Sequence, residues 1–214
     1  MHRYDRLKKM LLYVVLVCIA VIAIFPFFYI LMASFRTNME IFEYALPFTW
    51  KTLIPQEWTF NNYIAIFEEF HYGVALKNTL MVVVILVPLV LTISALGGFV
   101  FAFFDFKGKN VLFSLCLISF MIPTDAIALP LYDLVSDMGM VNTYWGMIFP
   151  SAASGLAMFL FTQFFKEIPK SLLEAARIDG ANWLQIFGRI VLPLSVPVTI
   201  TAGLMVFVNE WNNF

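Results

Sequence analysis

Five long stretches of this 214-residue chain are apolar enough to dissolve in lipid, and that feature decides what it can fold into. A membrane-crossing helix needs about 20 predominantly apolar residues. Residues 10–34, 78–104, 111–132, 140–165 and 190–209 each meet that length, and only the third contains a charged side chain, Asp125. Strict two-residue alternation is absent and the runs are too long for barrel strands, so the predicted spans are helices. Composition agrees: 62% of residues are hydrophobic and 13% charged, whereas about a quarter are charged in an ordinary soluble domain. The expected fold is an all-α, polytopic transmembrane helical bundle.

The N-terminal "MHRYDRLKKMLLYVVLVCIA" opens like a secretion signal, but its apolar run continues to residue 35. A signal core is about 7–15 residues long and is followed by a small-residue cleavage site, which is missing here. Residues 1–9 are therefore read as a cytoplasmic N-terminus leading into a retained first span, 10–34. Cytoplasmic loops are rich in Lys and Arg. Arg3, Arg6, Lys8 and Lys9 precede the first span, Lys107 and Lys109 lie in "DFKGKN", and Lys166, Lys170, Arg177 and Arg189 lie in 166–189. Five spans put all of these on one side. The other side holds Arg36, Lys51 and Lys77, spread over a long external loop at 35–77. That loop is aromatic and carries Pro47 and Pro55, so it is expected to be ordered and packed on the helix ends, with an amphipathic helix from Asn61. It reads equally as a cap on the external mouth or as a docking surface for an external partner. An odd number of spans leaves the C-terminus outside, directly after "NEWNNF", which leads us to expect a sixth span missing from this chain.

Cys18 and Cys116 both lie in apolar runs, as small packing residues do, and His2 and His71 are too far apart for a metal site. The near-balanced charge, 13 Lys/Arg against 14 Asp/Glu, gives no reason to expect a nucleic-acid partner.

The segment 166–189 stands out because it is polar between two lipid-soluble runs. Ile168-Pro169 fits a helix start, and Ser171 with Glu174 forms a candidate capping box slightly later. Leu172, Leu173, Ala175 and Ala176 favour helix. Gly180 suits a left-handed helix end, Asn182 with Gln185 suits a second N-cap, and Trp183, Ile186, Phe187 and Ile190 give the second helix an apolar stripe. Pro193 and Pro197 mark the start of the next span. Such a helix–Gly–helix can be a knob that enters a groove on another protein or an amphipathic connector lying on the membrane.

Glu174-Ala175-Ala176, then Gly180 after three residues, then Ile190-x-Leu192-Pro193 after nine, resembles the EAA loop of ABC importer permeases. The wider stretch "IPKSLLEAARIDGANWLQIFGRIVLPLSVP", together with "SFMIP", "LPLY", "MGMVNTYWGMIFP" and the terminal "WNNF", is similar to the carbohydrate-uptake branch that contains the maltose permease subunit MalG. The resemblance runs along essentially the whole chain and implies a type I ABC importer permease, a binding-protein-dependent transport system inner membrane component of the cell membrane. Residues 78–214 would form the permease core, and 166–189 the coupling loop. The resemblance further implies a second permease subunit, two copies of an ATP-binding subunit that hold ATP and Mg, and an external solute-binding protein, all meeting in membrane lipid. Glu174, Ala175, Ala176, Asp179, Gly180, Ile190, Leu192 and Pro193 are its coupling-loop positions. Those permeases have six spans, one more than is visible here.

The chain carries no nucleotide site of its own. A P-loop needs G-x-x-x-x-G-K-[ST], and around Gly108-Lys109 the first Gly is Phe103 and the Ser/Thr is Asn110. Catalytic and metal residues are expected to be absent. Candidate path residues are Asp125, between Pro123 and Pro130, and Asn209, Trp211 and Asn212, with Asn213 beside them. An ionisable group at membrane depth faces a cavity or a partner, so Asp125 either lines the path or bonds a neighbouring helix. The Trp–Asn cluster either contacts sugar or anchors the span at the interface. Gly97-Gly98 is expected to allow close helix packing. The function expected is ATP-driven uptake of a sugar or polyol, with another solute on the same machinery as the alternative. A secondary transporter would need more intramembrane carboxylates and inverted repeats.

Overall fold

The computed structural model describes residues 2–212, without the side chains of residues 2–5 and 7. Asn213, expected beside the path, lies outside the described residues. The described residues form helices and turns with no strand, and the chain divides into two compact units, Met1–Val74 and Ala75–Phe214.

The first unit begins with α1, His2–Ser34, whose apolar stretch Lys8–Ser34 is long enough to cross a membrane and buries none of its surface within the protein. The segment that follows is ordered, as its aromatic content suggested. It contains α2, Asn38–Glu43, α3, Trp50–Leu53, and α4, Asn61–Glu68, the last beginning at the expected residue. Phe35 sits among Trp58, Phe60 and Tyr63 with ring centroids 5.4–5.5 Å away. Beneath it Arg36, 1% exposed, lies 3.8 Å from Glu40. The Arg36 guanidinium donates to the carbonyls of Lys51 and Ile54, and Glu40 accepts from the Gln56 amide. Asn62 Nδ2 ties α4 to the end of α1 by donating to the carbonyls of Ser34, 3.0 Å, and Arg36, 2.6 Å.

The second unit is built on α5, Tyr72–Phe103. It is apolar all round, yet it buries one stripe containing Val82, Leu86, Val90, Ser94 and Gly98, spaced by four residues. That spacing stacks side chains on one helix face, leaving the rest of the apolar surface for lipid. Three further expected spans are bent. The stretch read as one span over 111–132 is two helices, α6, Lys109–Met121, and α7, Thr124–Asp137, meeting at 99°. Ile122 precedes a proline and so leaves the helical region, and both Ile122 and Pro123 are extended at the corner. The 140–165 stretch becomes α8, Tyr144–Ser151, and α9, Gly155–Glu167, bent by 44°. Five spans remain by length and composition if each bent pair crosses once.

The core of this unit joins α5 and α9. A Cβ on Gly98 would lie 2.7 Å from the Cβ of Phe161 and 3.1 Å from the Thr162 amide nitrogen, so glycine is what lets the two helices touch. Phe161, Phe165, Leu86 and Val90 are fully buried there.

Candidate functional site

The helix–Gly–helix exists as drawn from the sequence, with one difference at its start. α10, Lys170–Ile178, begins directly after Pro169. Ser171 therefore lies inside the helix and makes no cap, so the expected Ser171–Glu174 box is not formed. Pro169 sets the backbone ahead of the first turn, and Ser171 falls past the N-cap position from which a capping box is made.

Gly180 ends α10 at φ +86°, where a side chain would be strained. The Gly180 amide donates to the Arg177 carbonyl at 3.1 Å and the Ala181 amide to the Ala176 carbonyl at 2.9 Å. This pair of bonds is a Schellman closure. Two residues on, Asn182 and Gln185 form a reciprocal capping box, both bonds 2.9 Å, that starts α11, Trp183–Ile186. The turn is thus locked on both sides of the glycine.

The apolar stripe of the second helix points into the protein. Ile186 is fully buried, and the Trp183 ring stands 4.7 Å from Phe104 and 6.1 Å from Phe99. Phe187 is 5.1 Å from Phe99. Arg177 stacks over the Trp183 ring at 4.8 Å, clipping the first helix to the second. Phe99 in α5 and Phe104 just after it had no signal in the sequence beyond being apolar in a span. On α10 only Leu173 is buried; Glu174, Ala175, Asp179 and Gly180 are exposed, and Ile178 is 86% exposed. The loop before α6 lies close by: the hydrogen bond from Lys109, 3.1 Å, then its charge, and more distantly the charge of Lys170, hold the Asp105 carboxyl below its usual range.

α11 runs on through a π-helix, Phe187–Val191, into α12, Leu192–Leu194. Ile190 is half-buried, Leu192 half-buried and Pro193 exposed. Pro193 lacks an amide hydrogen, and a wider turn absorbs the missing bond. Ser195 then breaks the chain direction, and α13, Val196–Trp211, leaves at 79°.

A cavity of about 460 Å³ lies where the bends converge. Ser119 and Thr124 border it at the α6–α7 corner, Ser151 and Ser154 at the α8–α9 bend, and Asn209 and Glu210 at the end of α13. Helix bends leave backbone groups and hydroxyls free to meet a polar solute. Of the expected path residues, Asn209 lines this cavity. Asp125 is exposed on the first turn of α7 and is not among the cavity residues. Trp211 stacks on Phe207 at 5.5 Å, and Asn212 caps α13 by donating to the Val208 carbonyl at 2.8 Å. Glu210 was not singled out from the sequence because it falls one residue past the last apolar run.

Residues 93–214 match the family described as binding-protein-dependent transport system inner membrane component. The arabinooligosaccharides permease AraQ of Halalkalibacterium halodurans is 38% identical over 92% of this chain and 70% of its own length. The sn-glycerol-3-phosphate permease UgpE of Rhizobium meliloti is 33% identical over 91% and 70%, and the trehalose/maltose permease MalG of Thermococcus litoralis 29% over 99% and 75%. A chain in the crystal structure of a bacterial ABC transporter that imports alginate superposes with a TM-score of 0.83 at 24% identity, covering 98% of this chain and 72% of that one. The chain belongs to the inner-membrane permease components of binding-protein-dependent ABC importers.

Proposed function

We propose that this chain carries a sugar or polyol across the cell membrane as one half of the path of an ATP-driven importer, moved through α10. The observation behind this reading is the locked knob. α10 offers the Glu174 carboxylate and a low Ala175 surface, and its angle is fixed by Gly180, the Asn182–Gln185 box and the Trp183 bracket. A rigid handle can pass a push from a nucleotide-binding partner to α13 without dissipating it. Glu174 pairs with a basic group in the partner's cleft, while Ile178 supplies apolar contact. ATP and Mg belong to that partner, present in two copies; a second permease completes the path and an external binding protein delivers solute. The N-terminus, 105–110 and 166–189 face the cytoplasm, in keeping with their Lys and Arg. Asn209 and the hydroxyls at the bends form the polar wall of the path.

The sugar assignment rests on the relatives' named solutes, arabinooligosaccharides and trehalose/maltose. UgpE, whose named solute is a phosphorylated polyol, supports a second reading in which the same machinery takes an anion. Uptake of labelled oligosaccharides and of glycerol 3-phosphate by cells with and without the gene separates the two. Loss of saccharide uptake alone supports the first.

A further inference from the structure

Resting on the sugar reading above, we propose that Glu210 makes the cavity selective for neutral polyhydroxyl solutes and against anionic ones. Glu210 is 6% exposed and is the one ionisable side chain among the residues lining the cavity. Asn209 Nδ2 donates to its Oε1 at 3.2 Å. Among the described residues no other donor and no basic side chain reaches the carboxylate, so its second oxygen has unused acceptor capacity. The remaining polar lining consists of hydroxyls and an amide, several already committed: Ser119 Oγ donates to the Cys116 carbonyl at 2.7 Å, and Ser154 Oγ accepts from the Ala157 amide at 3.2 Å.

A group so placed has two consequences for a visitor. Sugar hydroxyls are donors, and bonds from them to a carboxylate are charge-assisted and short; adjacent hydroxyls can take both oxygens together. A carboxylate or phosphate brings only acceptors and a second negative charge. Like charges a few ångströms apart repel, and the more strongly the less water stands between them. With no Lys or Arg on the lining to offset it, the anion is refused. The family leaves this choice open, because its named solutes include both kinds.

The test uses the assembled permease–ATPase complex in detergent without its binding protein, so that only the membrane path selects. Binding of a panel of neutral trisaccharides and of their aldonates, each carrying one terminal carboxylate, is followed by saturation-transfer NMR in wild type, Glu210→Gln and Glu210→Asp. Co-purification of the ATPase checks assembly of each variant. Wild type should bind neutral members and reject the aldonates. Glu210→Gln should shrink that preference by roughly 10-fold or more, an effect of the size expected for one like-charge contact, and Glu210→Asp should keep it. A preference unchanged in assembled Glu210→Gln, or aldonate-preferring wild type, overturns the selectivity while leaving the sugar reading intact. No trisaccharide binding to wild type overturns the sugar reading and this inference together.

Discussion

Gly180 is where one residue has most control over the proposed coupling. Its φ of +86° costs any L side chain about 1–2 kcal/mol, and nothing lies within 4 Å of an added Cβ. The damage in Gly180→Val is therefore to backbone geometry rather than to packing. Transport should fall sharply while membrane insertion, followed by immunoblot of the membrane fraction, stays near normal; unaltered transport would contradict the role given to this turn. Gly98 makes the opposite case, since its missing Cβ is occupied space. Gly98→Val should cost about 1–3 kcal/mol of overpacking and lower the melting temperature of the detergent-purified chain. Both glycines were legible in the sequence, because only a left-handed turn or a close approach calls for glycine there. Glu210 was not, because burial of a charge depends on which bends converge around it, and no local spacing encodes that.

At the scale of elements, the helices were legible from their apolar runs, and the bends were not. The 99° corner at Ile122-Pro123 and the 79° break at Ser195 interrupt stretches whose hydropathy is continuous. Hydropathy reports solubility in lipid, whereas a corner is set by one proline and by what packs inside it. The same limit hid the bracket around α11. Trp183→Ala empties a half-buried aromatic site and should cost about 2–3 kcal/mol, below the range for fully buried Trp. Transport should drop with the ATPase still bound, read as uptake against co-purified ATPase. The segment between α1 and α5 has its own keystone. Removing the guanidinium in Arg36→Ala leaves Glu40 buried and unpaired, a change worth about 3–5 kcal/mol. Amide exchange should accelerate across α2, α3 and α4 and stay slow in α5 and α9; protection retained in α2 would contradict the ion pair's part in that fold.

For the whole molecule, what matters is that one continuous stretch of helix and turn, 170–211, carries the polar α10 at one end and Asn209 and Glu210 of the cavity at the other. Sequence alone pointed to the handle, because its glycine, caps and charges are local. The cavity lies among residues 90–210 brought together from six helices, α5 to α9 and α13, and only Asn209 of it was anticipated. The proposed sidedness rests on charge and can be checked separately: Ile178→Cys should react with a membrane-impermeant thiol reagent in inside-out vesicles, and Met39→Cys in intact cells stripped of their outer barrier. The measurement that bears most directly on the account is a mild-detergent purification of this chain from its own host, with a Glu174→Lys version alongside. The account predicts that an ATP-binding subunit and a second permease accompany the wild type, and that Glu174→Lys loses the ATP-binding subunit while keeping the permease. An ATPase retained in full by Glu174→Lys, or wild type that retains its sister permease but no ATPase, would contradict the claim that α10 is the handle.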